Sequence, residues 1–210
     1  MIAALAAPLN VTAGGTAAPP RVGGTAINAG QANTVQRSRV TSLQVTFSTQ
    51  VTFATTPGAA FTLTRNSDSV PVTFTATANV VGGVTVVTLD GFGGAATNFG
   101  SLADGRYTLT ALAGQITFNG VQLDGNGDGT PGDNYVLTSP PASATGIFRI
   151  FGDANGDARV DVADLGLFAG TYLKTSVDVG YLAYFDFNGD NRIDVTDLGQ
   201  FASRYLTTLP

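Results

Sequence analysis

The 210-residue chain contains no cysteine, no histidine, no tryptophan and no glutamate. Without cysteine it can form no disulfide, no thiolate metal site and no cysteine nucleophile. Without histidine it lacks the commonest general base and the usual zinc ligand, and a Ser–His–Asp triad is excluded. These absences remove the most frequent catalytic side chains before any motif is considered.

Charge is also scarce, and the acidic part of it is local. The net charge is −5, from 15 aspartates against ten lysines and arginines. Eleven of the aspartates fall in three short loops, which leaves Asp68, Asp90, Asp104 and Asp178 elsewhere, mostly in turn contexts. A glycosidase needs two facing carboxylates, and no acid–base constellation is visible. We predict that the chain is not an enzyme, and the scattered basic residues predict no nucleic-acid partner.

The hydrophobic content of 43% with 12% charged residues is typical of a globular protein. No apolar stretch is long enough for a transmembrane helix. Residues 1–20 are rich in Ala, Gly, Thr and Pro and lack the basic start of a secretory signal. We interpret them as a disordered lead-in or as the cut end of a longer protein.

One motif occurs twice, in residues 151–173 and 184–206. The copies are offset by 33 residues and share 14 of 23 positions. A twelve-residue calcium loop takes side-chain oxygens from positions 1, 3, 5, 9 and 12 and a carbonyl from position 7. The first copy supplies Asp153, Asn155, Asp157, Arg159 through its carbonyl, Asp161 and Asp164. The second supplies Asp186, Asn188, Asp190, Arg192 through its carbonyl, Asp194 and Asp197. All these ligand atoms are hard oxygens, which suit calcium.

Each loop is followed by the pattern of an amphipathic helix. The apolar positions are Leu165, Phe168, Ala169 and Tyr172 in the first copy and Leu198, Phe201, Ala202 and Tyr205 in the second. Position 8, Val160 or Ile193, could tie the paired loops together through its backbone. Position 6 is Ala158 in the first loop and Asn191 in the second. Because alanine tolerates a left-handed backbone less well, we expect the first site to be weaker or more strained.

Residues 146–151 are too short and too β-branched for an entering helix, so each unit is a loop plus an exiting helix. The duplicated half-hand, with Asp at position 12 and an Asp-Leu pair at its end, resembles the type I dockerin. The resemblance implies one calcium ion per repeat and docking onto a cohesin domain. Positions 10 and 11, which are small hydroxyl residues in well-known dockerins, are Val162, Ala163, Val195 and Thr196 here.

The region before residue 139 shows short strands rich in Thr, Val and Phe, with no helical period. Residues 39–48 alternate with Val40, Leu43, Val45 and Phe47 inward. We predict a hairpin across Gly82-Gly83 and a second between residues 105–112 and 115–118. Frequent turns favour an antiparallel sandwich of about seven strands. Residues 40–54, 60–65 and 101–120 resemble bacterial Ig-like modules of surface and secreted proteins, which implies a spacer, adhesive or scaffold role.

A third acidic loop, residues 123–135, is a candidate metal site with irregular spacing. Four of its residues match loop positions 1, 3, 5 and 7, and an aspartate at position 10 breaks the pattern. The candidate ligands are Asp124, Asn126, Asp128, Thr130 and Asp133. The sequence leaves open whether this loop binds calcium or is a polar hairpin loop.

The predicted fold class is mainly β: an Ig-like antiparallel β-sandwich followed by a small α-helical, dockerin-like module with two calcium loop–helix repeats. The predicted divisions are a lead-in (1–20), the sandwich (21–139), a linker (140–147) and the module (148–210).

Two functions are compatible with this organisation. The first is a non-catalytic, calcium-binding interaction or scaffold protein of the bacterial exterior, whose module is ordered by two Ca2+ ions and docks a cohesin-like partner. The alternative is a calcium-rigidified structural or adhesive cell-surface segment without such a partner. Glycan contact is left open, although no aromatic platform is visible. Both predict a secreted or cell-surface location.

Overall fold

The computed structural model describes residues 18–210. Of the predicted disordered lead-in, residues 1–17 lie outside the described residues. Pro20, at the end of that segment, is buried, and its carbonyl accepts a hydrogen bond from the Asp124 N–H over 2.9 Å. This hydrogen bond therefore anchors the chain to the protein near the start of the described residues.

Strands dominate the chain, and both α-helices follow residue 160. The strands are β1 (Val22–Ile27), β2 (Ser42–Phe47), β3 (Thr52–Phe53), β4 (Phe61–Arg65), β5 (Thr73–Val81), β6 (Val84–Gly93), β7 (Thr97–Asn98), β8 (Ser101–Leu102), β9 (Gly105–Ala111), β10 (Ile116–Phe118), β11 (Val121–Gln122), β12 (Tyr135–Thr138), β13 (Ile147–Arg149), β14 (Arg159–Val160) and β15 (Thr207–Thr208). The helices are α1 (Val162–Thr171) and α2 (Val195–Ala202), and 3₁₀ turns occupy Pro57–Ala60, Ala113–Gln115 and Ala183–Phe185. No helix of residues 18–210 is long and apolar enough to cross a membrane.

Two antiparallel sheets pack across one hydrophobic core. The first has the order β1–β2–β6–β5. In the second, β4 pairs along one side of β9, and β12 and β13 follow each other along its other side. A small sheet of order β11–β10–β3 lies beside them. The mainly β architecture with a small helical C-terminal module confirms the predicted fold class, while the Ig-like relationship of the sandwich stays a prediction.

Alternation of apolar and polar residues builds this core, as the period of a half-buried strand requires. The predicted inward residues Val40, Leu43, Val45 and Phe47 are all at most 1% exposed. The predicted hairpin at Gly82-Gly83 is also confirmed, because Val81 pairs with Val84 across them. Both glycines have positive φ, 59° and 85°, which a two-residue hairpin turn demands.

The second predicted hairpin is wrong. Strand β9 pairs with β4, β12 and β13, whereas β10 pairs with β3 and β11. The 3₁₀ turn Ala113–Gln115 separates β9 from β10 and turns the chain into a different sheet. Local sequence shows a turn at this point, but the choice of strand partner depends on contacts far away in the chain.

Tyr107 on β9 is both a core residue and a hydrogen-bonding one. It is 0% exposed, and its hydroxyl lies 2.8 Å from the Ala103 carbonyl and 3.0 Å from the Ala96 carbonyl. Burial raises the pKa of the Tyr107 phenol, which therefore remains a donor. The bond to a carbonyl four residues upstream fixes the turn that precedes β9.

Strand β13 carries the chain from the sandwich into the C-terminal module. Ile147 belongs to the sandwich core, and Phe148 belongs to a second core formed by residues 148–209. This crossing falls at the boundary predicted between the linker and the module, and the four domain divisions stay predictions. The linker is in contact with the sandwich, since the Ser143 carbonyl accepts a hydrogen bond from Arg106 over 2.6 Å.

A buried charge cluster joins the two parts. The Arg149 side chain is 1% exposed and donates to Asp104 Oδ1 over 2.7 Å, while Arg204 Nε donates to Asp104 Oδ2 over 2.5 Å. Both guanidinium groups lie 5.4 to 5.8 Å from the ring centroids of Phe151 and Phe187. Burial lowers the pKa of Arg149 to about 10, so it remains charged at neutral pH and needs its partner.

We predict that Asp104→Asn destabilises the chain by about 3 kcal/mol, because it leaves the buried Arg149 charge without a counter-charge. Urea denaturation of the whole chain in calcium measures this. Asp68→Asn is the matched control: it breaks the exposed pair between Arg65 and Asp68 and should change little. Equal stability of D104N and wild type would contradict this role of Asp104.

Candidate metal-binding loops

The first residue of each repeat loop organises the loop backbone around its carboxylate. Asp153 Oδ1 accepts the N–H of Gly156 over 2.6 Å, and its Oδ2 accepts the N–H of Ala158 over 2.9 Å. In the second loop Asp186 accepts the equivalent N–H groups, of Gly189 and Asn191, over 2.7 and 2.8 Å. The two loops therefore share one backbone path, as their sequence identity predicts.

Positions 3, 5 and 7 repeat the same arrangement in both loops. Asn155 Nδ2 donates to Asp157 Oδ2 over 3.0 Å, and the Arg159 N–H donates to Asp157 Oδ1 over 2.9 Å. In the second loop the corresponding bonds join Asn188, Asp190 and Arg192 over 2.9 Å each. Positions 3, 5 and 7 thus make equivalent hydrogen bonds in the two loops, and metal ligation by these residues stays a prediction.

The end of each loop is also the start of a helix. Asp161 accepts the Ala163 N–H over 2.8 Å, and Asp164 accepts both the Asp161 N–H over 2.9 Å and the Ala154 N–H over 2.8 Å. The bonds between Asp161 and the first turn of α1 form a capping box. The carboxylate of Asp164, at position 12, also holds Ala154, the second residue of the loop. Asp194 and Asp197 form the same box at α2. The carboxylates at positions 9 and 12 therefore serve the helix and the loop together.

Both position-6 residues adopt the left-handed backbone that the spacing demands. Ala158 and Asn191 each have φ of +68°. Alanine has no side-chain hydrogen bond to offset this conformation, whereas asparagine adopts it more readily. A weaker or more strained first site stays a prediction.

Each loop buries two carboxylates that have no ion-pair partner. Asp153, Asp164 and Asp197 are 0% exposed and Asp186 is 2% exposed. Within residues 18–210, no loop aspartate of either repeat forms an ion pair with a lysine or arginine. Burial raises the pKa of Asp153 to about 7, with the charges of Asp164 and Asp157 acting in the same direction.

Burial likewise raises the pKa of the carboxyl groups of Asp164 and Asp197. A buried carboxylate without a counter-charge is costly, and a cation bound among several oxygens removes that cost. A set of only carboxylate, amide and carbonyl oxygens fits a hard divalent cation such as calcium.

The two loops are not tied to each other through position 8, and that prediction is wrong. The Val160 carbonyl accepts the Leu206 N–H over 2.7 Å, and the Ile193 carbonyl accepts the Leu173 N–H over 2.8 Å. Each loop therefore pairs with the segment that follows the helix of the other repeat. The two contacts are related by the 33-residue offset, so the module has an internal pseudo-two-fold arrangement.

The module core is small and aromatic. Phe168 and Phe201 stack with their ring centroids 4.6 Å apart, and Phe185 packs edge-on against Phe168 at 5.2 Å. The predicted apolar stripes are only partly buried, because Leu165 is 36% exposed and Ala169 and Ala202 are exposed as well. With few residues to cover them, the helices keep one apolar side at the surface.

Two pairs of equivalent apolar residues at the surface of the module are unusually exposed. Val162 and Val195, at equivalent positions, are 72% and 71% exposed. Leu173 and Leu206, also equivalent, are 72% and 75% exposed and have φ of 65° and 61°. A leucine that is both exposed and left-handed contributes neither core packing nor favourable backbone energy, and unfavourable conformations of this kind cluster at functional sites.

The third loop reproduces part of the same pattern. Asp124 accepts the N–H groups of Gly127 and Gly129 over 2.7 and 2.9 Å, as Asp153 does at its positions 4 and 6. The Thr130 N–H donates to Asp128 over 2.7 Å, and the Asn126 N–H donates to Asp133 over 2.7 Å. Asp124, Asp128 and Asp133 place carboxylate oxygens within 4.8 Å of one another, the one such trio in residues 18–210.

The third loop also differs from the other two. Arg21 forms an ion pair with Asp124 over 2.8 Å, so an arginine already supplies positive charge there. In the repeat loops the position-9 carboxylates cap helices, and three carboxylates do not approach so closely. Calcium binding by the third loop stays a prediction.

The four aspartates outside the loops make structural contacts. Asp68 pairs with Arg65, and Asp104 pairs with Arg149 and Arg204. Asp90 accepts a hydrogen bond from the Thr75 hydroxyl, and Asp178 accepts the N–H and hydroxyl of Thr175. That the chain is not an enzyme stays a prediction.

Comparison with known proteins bears on the C-terminal segment. Residues 151–204 match the family model of the dockerin type I domain. No curated protein matches the chain.

Two solved structures are similar in part, both described as type II cohesin–X–dockerin complexes from Acetivibrio cellulolyticus. The N-terminal interface mutant is 14% identical, with 74% of this chain and 90% of that chain covered and a TM-score of 0.26. The C-terminal interface mutant is 15% identical, with coverages of 76% and 92% and the same TM-score, 0.26.

We predict that Leu173→Gly stabilises the chain by about 1 kcal/mol, because glycine adopts the left-handed conformation without strain and the exposed leucine side chain packs little. Thermal unfolding in calcium measures the change. Leu173→Ala, which removes the side chain but keeps the strain, is the control. If both variants shift the melting temperature equally, backbone strain at this position is not significant.

Proposed function

We propose that this chain is a non-catalytic, calcium-binding interaction protein of the bacterial exterior, whose C-terminal module docks a cohesin-like partner. The observation that carries the proposal is the pair of equivalent loops, each with two buried and unpaired carboxylates, within the segment that matches the dockerin family model. The sandwich serves as a spacer or scaffold that presents this module.

Two Ca2+ ions bind, one in each repeat loop. Each ion neutralises the carboxylates and draws positions 1 to 12 closed, so that the helix starts are fixed. Its ligands in the first loop are Asp153, Asn155, Asp157, the Arg159 carbonyl, Asp161 and Asp164. In the second loop they are Asp186, Asn188, Asp190, the Arg192 carbonyl, Asp194 and Asp197.

The docking surface is the exposed apolar side of α1 and α2. It carries Val162 at the start of α1 and Val195 at the start of α2, together with Leu173 and Leu206 just beyond the ends of these helices. Apolar residues on adjacent elements that remain exposed in a folded module mark an interaction site. Because calcium fixes where both helices begin, partner binding depends on calcium.

The alternative is a calcium-rigidified structural or adhesive segment of the cell surface without a cohesin partner. Positions 10 and 11 favour it, since they are Val162 and Ala163 in the first repeat where known dockerins carry hydroxyl residues. The secreted or surface location is common to both functions, because calcium loops of this composition suit a calcium-rich exterior. Glycan contact by the sandwich remains a prediction.

We predict that Asp164→Asn and Asp197→Asn each lower the number of bound calcium ions by one. Position 12 closes its loop, and the amide loses both the charge and one ligand oxygen. Isothermal titration of the whole chain with calcium counts the sites, and Asp178→Asn, outside the loops, is the control. An unchanged count in D164N and D197N would show that calcium binds elsewhere.

We predict that Val162→Asp combined with Val195→Asp weakens cohesin binding at least about 100-fold, because it buries charge in an apolar interface on both helices. Titration against a panel of type I and type II cohesin domains, in calcium and in EGTA, measures this. The control is Val177→Asp with Val179→Asp, since both valines are exposed but lie in the segment between the repeats. If wild type binds no cohesin of the panel while still binding calcium, the structural alternative is favoured.

A further inference from the structure

A short segment of the sandwich, Arg37, Ser38 and Arg39, lies against the beginnings of both repeat loops. Ser38 is 0% exposed. Its hydroxyl donates to the Tyr184 carbonyl over 2.6 Å and accepts the Gly152 N–H over 2.9 Å. Gly152 precedes the first ligand of loop one, and Tyr184 lies two residues before the first ligand of loop two. One buried hydroxyl from outside the module thus joins the two loops.

The flanking arginines hold the first ligand residue of each loop. The Arg37 N–H donates to the Asp153 carbonyl over 2.8 Å. Arg39 Nη1 donates to the Asp186 carbonyl over 2.5 Å. Both position-1 aspartates therefore have their backbones fixed by the same three-residue segment, which we name the bridging segment.

The bridging segment is itself held firmly in the sandwich. The buried Gln36 side chain donates to the Arg39 carbonyl over 2.7 Å and accepts the Arg39 N–H over 2.8 Å. Asn28, also buried, donates to the same carbonyl over 2.8 Å. The next residue, Val40, lies in the sandwich core. A movement of either loop is thus transmitted to a rigid element.

We propose that the bridging segment couples the two calcium loops to each other and to the sandwich, so that Ser38 and Arg39 act as positioning residues for calcium. The inference rests on the proposed binding of calcium by both loops. With the position-1 backbones fixed, less ordering is needed when the ion binds, which raises affinity. Because one hydroxyl bonds the residues that lead into both loops, ordering one loop favours ordering of the other, and the two ions bind cooperatively.

The test is a calcium titration of the whole chain followed by far-UV circular dichroism. Both α-helices lie in the module, so the helical signal reports the repeat loops and not the third loop. Wild type should gain helicity in one cooperative step. Ser38→Ala should raise the half-saturating calcium concentration by about ten-fold, the scale expected for losing one or two buried hydrogen bonds, and should split the step in two.

Ser48→Ala is the matched control. Ser48 is also a serine of the sandwich, and the one hydrogen bond of its side chain in residues 18–210 is accepted from the Arg21 N–H over 3.0 Å and not from the module. This variant should titrate like wild type. If S38A also titrates like wild type, the coupling role of Ser38 is overturned.

Arg39→Met gives a second test, because its expected effect differs between the two loops. It remains informative if S38A does not fold. Arg39 contacts loop two, so R39M should weaken calcium binding by about three- to ten-fold in the D164N background, where loop two is intact. It should leave the D197N background, where loop one is intact, unchanged. Equal effects in both backgrounds, or none, would overturn the inference.

The same titration separates this inference from the proposed function. If wild type shows no calcium-dependent helicity or heat, calcium binding by the repeats fails and the coupling fails with it. If wild type binds two ions independently and the variants match it, calcium binding holds and only the coupling is wrong.

Discussion

The C-terminal module depends on one constraint, the burial of acidic charge. Asp153, Asp164, Asp186 and Asp197 lie almost fully inside the protein, and none of them forms an ion pair with a lysine or arginine of residues 18–210. Backbone N–H groups satisfy part of this charge, and the glycine at position 4 of each loop lets the chain bring one of them close. Under the proposed function a cation in each loop neutralises the remaining charge, which couples folding of the module to calcium binding.

The repeats lack entering helices, and the structure supplies other supports. Each loop is supported by a hydrogen bond from the segment that follows the helix of the opposite repeat, through the equivalent N–H groups of Leu206 and Leu173. A second support comes from the sandwich, through the bridging segment. The contact with the sandwich also differs between the repeats. Arg204 of the second repeat contacts Asp104, whereas its equivalent in the first repeat, Thr171, is buried within the module. Two nearly identical repeats therefore face different surroundings.

Sequence reasoning reached the fold class and the equivalence of the two repeat loops, because loop spacing and strand alternation are local patterns, while calcium binding by the loop residues stays a prediction. The inward residues of β2 and the glycine hairpin followed for the same reason. The pairing of β9 and the partners of Val160 and Ile193 did not follow, because they depend on contacts between distant segments. No motif in the sequence indicated which residues of the sandwich contact the module. Ser38 and Arg39 lie before β2 in a stretch without a motif, and only the three-dimensional arrangement places them against Gly152, Tyr184 and Asp186.

Hydrogen exchange of the whole chain, measured with calcium and with excess EGTA, tests most directly whether buried charge, calcium and the sandwich form one cooperative system. We expect EGTA to expose the amides of both repeat loops and, together with them, the amides of residues 36–39, while β2, β6 and β9 remain protected. Exposure confined to the loops would contradict the coupling. Unchanged protection of the loops themselves would contradict the requirement for a cation.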